Sequence, residues 1–304
     1  MRPYTLYQVD VFTTEPFAGN AAGVVTDARG LTGKQMQSIA AELKNSETAF
    51  IFPPEGEGEG DDHDVYVRFF TPETEVPMCG HATLGAQYAR ALELDLGTVR
   101  VLQKSGAGVT PVDVLRNESG YRVVMTQERI EFYPELDPSL TDPVLRALGL
   151  KNSDVDDRCP IQVVSTGHAK LIVGVNSAVT LNKLEPDLAA LRRLADDVGC
   201  RGYFVFTSAS EIDGSLTECR MFAPQIGIPE DPVTGNGNGP LGAYLVRHEL
   251  VQHDDECFKF SSTQGRAMGR RGTAYVEVFI KGGEPVKVSV GGDVVTVFRT
   301  EIRV

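Results

Sequence analysis

A motif that occurs twice, half a chain apart, most constrains what these 304 residues can fold into. Arg68-Phe69-Phe70-Thr71-Pro72, Glu75-Val76-Pro77-Met78-Cys79-Gly80 and Leu84-Gly85-Ala86 form the first copy. They return as Arg220-Met221-Phe222-Ala223-Pro224, Glu230-Asp231-Pro232-Val233-Thr234-Gly235 and Leu241-Gly242-Ala243. The offsets are 152 (220−68), 155 (230−75) and 157 (241−84), so only small insertions separate the copies. Each copy reads as a strand running into a Pro/Gly turn that opens a helix. The first turn of a helix carries unpaired N–H groups and a partial positive charge, which attract anions. Two such ends suggest a cleft that grips a carboxylate from two sides, and hence an enzyme for a small molecule.

The halves match beyond the motif. In the first, Thr32-Gly33-Lys34-Gln35 is a capping box that opens a helix through about Lys44, with Met36, Ile39, Ala40 and Leu43 on one face. A strand follows at Glu47-Thr48-Ala49-Phe50-Ile51-Phe52. In the second, a helix begins near Pro186, buries Leu188, Leu191, Leu194, Ala195 and Val198, and is closed by Gly199 before the strand Tyr203-Phe204-Val205-Phe206. Hairpins follow each motif helix, with Gly282-Gly283 and Gly291-Gly292 read as turns. The expected fold is α+β, with two pseudo-symmetric domains, each a curved sheet or barrel wrapped around a central helix. The division falls at 1–125 and 126–293, with the last strand, 294–304, a candidate to pack on the first domain. The acidic, Gly-rich stretch Glu55–Asp64 reads as a solvated loop.

Composition excludes several classes. A net charge of −13 argues against a nucleic-acid partner, because polyanions seek basic faces. No apolar run approaches the about 18 residues that span a membrane. The five cysteines are scattered without a CxxC pair, which fits free thiols in a reducing, cytoplasmic setting. No P-loop, dinucleotide fingerprint, HExxH or GxSxG occurs, and His63, His168, His248 and His253 lack ligand-like spacing. Neither a metal nor a cofactor is expected.

Function is sought where the halves differ. Aligning the strands at Thr48 and Gly202 sets Glu47 opposite Arg201, an offset of 154 (201−47). Glu47 lies between Ser46 and Thr48, whose hydroxyls can hydrogen-bond a carboxyl group, and in a closed cleft it would shuttle protons. The bland alternative is a surface glutamate just past a helix. His81, with Gly80 at a helix start, can donate to a carboxylate, or it can cap or pack. Cys79 lies on the same turn, as a reactive thiol or as inert packing. Asp231 is a helix cap or a ligand-facing acid, its backbone restricted by Pro232. The run Gly235-Asn236-Gly237-Asn238-Gly239 lets backbone approach a ligand closely. Phe17-Ala18-Gly19-Asn20 is a loop of the same type, and Asn20 can donate to substrate.

These residues resemble the PhzF-like family of phenazine biosynthesis, which shares its fold with diaminopimelate epimerase. The resemblance rests on Val9-Asp10-Val11-Phe12 through Gly19-Asn20, Asn45-Ser46-Glu47-Thr48-Ala49-Phe50, both motif copies, and Ser165-Thr166-Gly167-His168. It implies two like domains with the active site between them, no cofactor and often a homodimer. It implies that Glu47 matches the catalytic proton carrier, and that His81 and Asp231 match substrate-contacting positions. Epimerase relatives use two cysteines on facing helices; here Cys79 is present, while the second motif has Asp231 and Thr234 and no cysteine. The phenazine enzyme continues its second motif Gly-Ser-Ala-His, where this chain has Gly235-Asn236-Gly237-Asn238.

The expectation is a cofactor-independent isomerase of a small carboxylic acid. Glu47 moves the proton, His81 and Asp231 position the substrate, and backbone N–H groups near Gly80, His81, Gly235 and Asn236 hold its carboxylate. The alternatives are an epimerase using Glu47 or Cys79 against Asp231, and a carboxylate-binding protein without catalysis.

Overall fold

The computed structural model describes residues 2–53, 63–118 and 120–304. Most of the stretch read as an acidic loop, up to residue 62, lies outside the described residues. The chain divides into two compact units, 1–126 with 291–304, and 127–290. No helix among the described residues is long and apolar enough to cross a membrane.

The first unit runs β1 (Pro3–Val11), β2 (Asn20–Val25), α1 (Gly33–Leu43), β3 (Glu47–Phe52), β4 (Val65–Phe70), β5 (Glu75–Val76), α2 (Gly80–Leu94), β6 (Val99–Ser105), β7 (Gly108–Asn117) and β8 (Gly120–Gln127). Thr32 caps α1 with both bonds of the capping box in place. Met36 and Ala40 of α1 pack with Leu6, Val25, Phe50 and Phe70. The sheet pairs β1–β2 antiparallel, β2–β3 parallel, β3–β4 antiparallel and β4–β6 parallel. It curves around α2, which contacts β1, β2, β3, β4 and β7. Gly85 makes that wrapping possible: a Cβ there would lie 2.9 Å from Val9 Cγ2.

The second unit repeats this order. It runs β9 (Glu131–Glu135), α3 (Pro138–Leu148), β10 (Gln162–Ser165), β11 (Lys170–Gly174), α4 (Ala178–Asn182), α5 (Leu188–Val198), β12 (Tyr203–Thr207), β13 (Thr217–Ala223), β14 (Ile228–Asp231), α6 (Gly235–Arg247), β15 (Cys257–Gln264), β16 (Gly272–Lys281) and β17 (Glu284–Arg303). Again the pairings are antiparallel (β10–β11), parallel (β11–β12), antiparallel (β12–β13) and parallel (β13–β15). α6 is the enclosed helix, and Tyr244, Leu241 and Leu245 join Phe204, Phe206 and Val276 in its core.

Two features depart from the sequence reading. α3 and α4 were not anticipated; α3 starts at a capping Asp137 with Pro138, ends at Gly149, and buries Val144, Leu145 and Leu148 beside Leu191 of α5. The turn expected at Gly291-Gly292 is absent, because β17 runs unbroken from Glu284 to Arg303. A Cβ on Gly291 would meet Val124 at 2.7 Å, and one on Gly292 would meet Phe12 at 2.5 Å, so these glycines admit close packing. From Gly291 onward β17 belongs to the first unit, where Val294 to Arg303 pair antiparallel with β1.

The repeated motif acquires a structural meaning here. Arg68 makes a two-pronged pair with Glu75, at 2.7 and 2.7 Å, and stacks over Phe70. Arg220 does the same with Glu230, at 2.8 and 2.8 Å, and stacks over Phe222. The pair ties the longer strand to the short strand before each enclosed helix, and so sets the angle at which that helix begins.

Candidate active site

In the first unit, the parallel β2–β3 pairing sets Ala22 opposite Glu47, which puts Asn20 and Glu47 at the same end of the sheet. Asn20 itself is buried and opposite Val11. Glu47 opens β3 with its side chain 14% exposed, and His81 in the first turn of α2 is 8% exposed. Glu47 Oε2 lies 3.6 Å from His81 Nε2. Ser46 Oγ is 3.3 Å from the same nitrogen, and Cys79 Sγ is 3.4 Å from Nδ1. Both ring nitrogens thus face partners, a carboxylate and hydroxyl on one side and a thiol on the other.

No side chain caps α2, and no acidic residue sits in its first turn. A Cβ built on Gly80 would meet nothing within 4 Å. The first turn therefore keeps the positive end of the helix dipole uncancelled by a side chain, and there is room beside Gly80. Ligand atoms of Glu47, Cys79 and His81 all lie within 4.8 Å of one another, a set that can also hold a metal ion. The sequence did not announce it, because Glu47 comes from a different element and only Cys79 and His81 are near in the chain.

The second unit arranges its groups around Gln264 at the end of β15. Thr234 Oγ1 donates to Asp231 Oδ2 at 2.5 Å, so Asp231 binds the hydroxyl of the cap residue rather than capping α6 itself. Gln264 Nε2 donates to the Asp231 carbonyl at 2.8 Å, while its Oε1 accepts from Thr234 N at 3.1 Å and from Asn238 Nδ2 at 3.3 Å. Gly235 is the first residue of α6, which has no side-chain cap and no acid in its first turn. Asn236 does not join Asp231; its Oδ1 accepts from Gln127 Nε2 at 2.5 Å. Two surface hollows, about 510 Å³ beside α1 and about 310 Å³ beside α5, are lined by none of these residues.

Residues 9–300 match the family described as phenazine biosynthesis-like protein, PhzC-PhzF. The chain belongs to this family. It is 52% identical over 302 residues to an uncharacterized isomerase of Clostridium acetobutylicum, covering 99% of each chain. It is 32% identical over 286 residues to the trans-2,3-dihydro-3-hydroxyanthranilate isomerase of Pseudomonas aeruginosa, covering 94% of each. The crystal structure of a Bacillus anthracis phenazine biosynthesis protein of the PhzF family superposes with a TM-score of 0.89 at 26% identity, covering 100% of both chains. A hydroxyproline epimerase of Agrobacterium vitis, at 13% identity, shares the fold alone, with a TM-score of 0.59 over 99% of this chain and 92% of that one. The protein is accordingly a PhzF-family isomerase with the mixed α+β fold common to that family and to the epimerases.

This PhzF-family chain also carries a charged group that sequence reasoning passed over. Lys170, the first residue of β11, is 4% exposed. Burial pushes its ammonium down to about 8, opposed by nearby Cys200 and Asp231 and reinforced by Arg201. Burial also lowers His168, with Lys170 and Arg201 adding to the effect. The available signal was the apolar run Leu171-Ile172-Val173-Gly174-Val175, which marks a strand buried on both faces with a lysine at its head.

Proposed function

We propose that this PhzF-family protein isomerises a small carboxylic acid without a cofactor, with Glu47 taking a proton from one carbon and returning it to another. The observation that carries the reading is the cluster at the start of α2. A largely buried carboxylate meets an imidazole, a hydroxyl and a thiol beside a helix end that no side chain caps. A proton carrier needs the right groups within reach and a water-poor setting. His81 and Ser46 orient the Glu47 carboxyl, and the first-turn N–H groups near Gly80 and His81 stabilise the negative charge that develops on an enolate-like intermediate. The family resemblance implies that Asp231 contacts substrate. A substrate related to the dihydro-hydroxyanthranilate of the Pseudomonas relative fits this chemistry in reaction class.

The test is proton exchange in D₂O, followed by NMR on a panel of unsaturated and amino carboxylic acids. The expected result is deuterium at one carbon with movement of a double bond, abolished in a folded Glu47→Gln variant. Full turnover in that variant sinks the proposal. A second reading, epimerisation, has one observation in its favour, the Cys79 thiol beside His81 Nδ1; it requires inversion at a single stereocentre with no double-bond shift. Binding of an acid without any exchange would make the protein a carboxylate binder. The family resemblance further implies a homodimer, which sedimentation measurements check directly.

A further inference from the structure

We infer that Lys170 is a ligand-binding cation whose ammonium takes a carboxylate oxygen of the substrate, within the second unit near Asp231 and the start of α6. The inference rests on the reading of the protein as an isomerase of a carboxylic acid, and it assigns that acid's charge to a residue.

The strand register builds the site. Lys170 pairs with Val164 on one side and, one position before Leu171↔Tyr203, stands beside Gly202 on the other. A Cβ on Gly202 would come 3.2 Å from Lys170 Cδ and 2.2 Å from Met221 Cε, so the missing side chain at 202 is what admits the lysine stem. The matching pair in the first unit, one position before Thr48 as Gly202 is one before Tyr203, is Ala22 on β2 and Glu47 on β3. The same framework thus houses a long cation in one unit and none in the other.

Hydrogen-bond accounting then leaves the ammonium short of acceptors. It has three N–H donors, and its one hydrogen-bond partner among the described residues is the His168 carbonyl at 3.5 Å. Buried polar groups are almost always hydrogen-bonded, and buried charges are paired. The charged or titratable neighbours acting on it are His168, Cys200, Arg201 and Asp231. Of these only Asp231 is a carboxylate, and its Oδ2 accepts from Thr234 Oγ1. An arriving carboxylate would supply the missing acceptors and the missing charge together. The depressed proton affinity of Lys170 agrees with a cation awaiting its partner.

The experiment compares Lys170→Met and Lys170→Arg with the wild type by thermal unfolding. The probes are malonate, succinate and L-aspartate, with malonamide and succinamide as uncharged controls. The wild type is expected to be stabilised by one or more of the acids and not by the amides, with Lys170→Met binding about ten- to hundredfold more weakly and Lys170→Arg falling between. Without ligand, Lys170→Met should melt at or above the wild-type temperature, because a poorly paired buried charge has been removed. A lower melting temperature with unchanged acid affinity would make Lys170 a packing or ion-pair residue and overturn the inference, as would a wild type that no acid stabilises. If Lys170→Met does not fold, NMR of the wild-type lysine Cε–Nζ groups decides: malonate must raise the proton affinity of Lys170, and no change overturns the inference. Glu47→Gln separates this result from the function itself, since it should retain acid binding while losing solvent exchange.

Discussion

At the start of α2 the chain gathers a carboxylate, an imidazole and a thiol. At the start of α6, entered by the same strand pair and the same Arg–Glu clamp, it places a hydroxyl, amides and one carboxylate bound to that hydroxyl. What the two helix starts share is support: Arg68 with Glu75 and Phe70, and Arg220 with Glu230 and Phe222. What they do not share is chemistry. Neutral hydroxyls and amides orient a substrate but do not carry its proton near neutral pH, whereas a carboxylate can. A duplicated scaffold has kept its frame in both copies; on the proposed reading, one helix start carries the proton and the other positions the substrate.

The comparison breaks most visibly at Glu47, whose register counterpart is Gly202, because Thr48 opposite Phe70 matches Tyr203 opposite Phe222. Arg201, the counterpart expected from the sequence, lies one residue earlier. Glu47→Gln should lower turnover by about 10²–10⁴-fold, and Arg201→Gln by less than about tenfold; equal losses would end the division of labour. The clamps come next. Arg220 is 7% exposed, against 25% for Arg68, and it also donates to the carbonyls of Leu181 and Leu184. Arg220→Met should therefore cost about 3–5 kcal/mol in urea unfolding, because its buried partner is stranded. Arg68→Met should cost about 1 kcal/mol or less.

A smaller effect follows from Lys170. Its folded proton affinity, about 8, lies below the ordinary 10.5. Between those values the unfolded chain binds more protons than the folded one, so stability rises with pH across that window. Relative to Lys170→Met, wild-type stability should gain up to about 3 kcal/mol from the lower to the upper edge, as read by urea melts at each pH. Smallest of all, Cys79→Ser should change turnover by less than about tenfold, since the thiol acts through His81. A loss matching that of Glu47→Gln would transfer proton carriage to sulfur and favour epimerisation.

Local features were legible in the chain. The Thr32 capping box, the stop at Gly199 and the strand beginning at Glu47 all depend on neighbours within a few residues. The repeat also exposed Glu47, because the second copy has no carboxylate there, although the strand register sets Gly202 against it and not Arg201. Nonlocal facts were not legible. A lysine at a strand head gives no sign that Gly202 on the next strand leaves room to bury it. Gly291-Gly292 look like a turn until Val124 and Phe12 are seen against them. The Arg and Glu of the motif were visible as a pattern, yet only the fold shows that they bind each other rather than a ligand.

The long strand β17 has a consequence for how the protein is made. Pro3 pairs with Arg303 and Val11 with Val294, so one edge of β1 stays open until residues 294–303 leave the ribosome. Throughout synthesis of the second unit, the first is an incomplete sheet with an exposed strand edge, the kind of surface that recruits other chains. Its final closure joins the most distant parts of the sequence, a contact that is slow to find. Shortening the chain by its final ten residues should therefore trap the first unit in an aggregation-prone form while leaving the second unit's residues untouched.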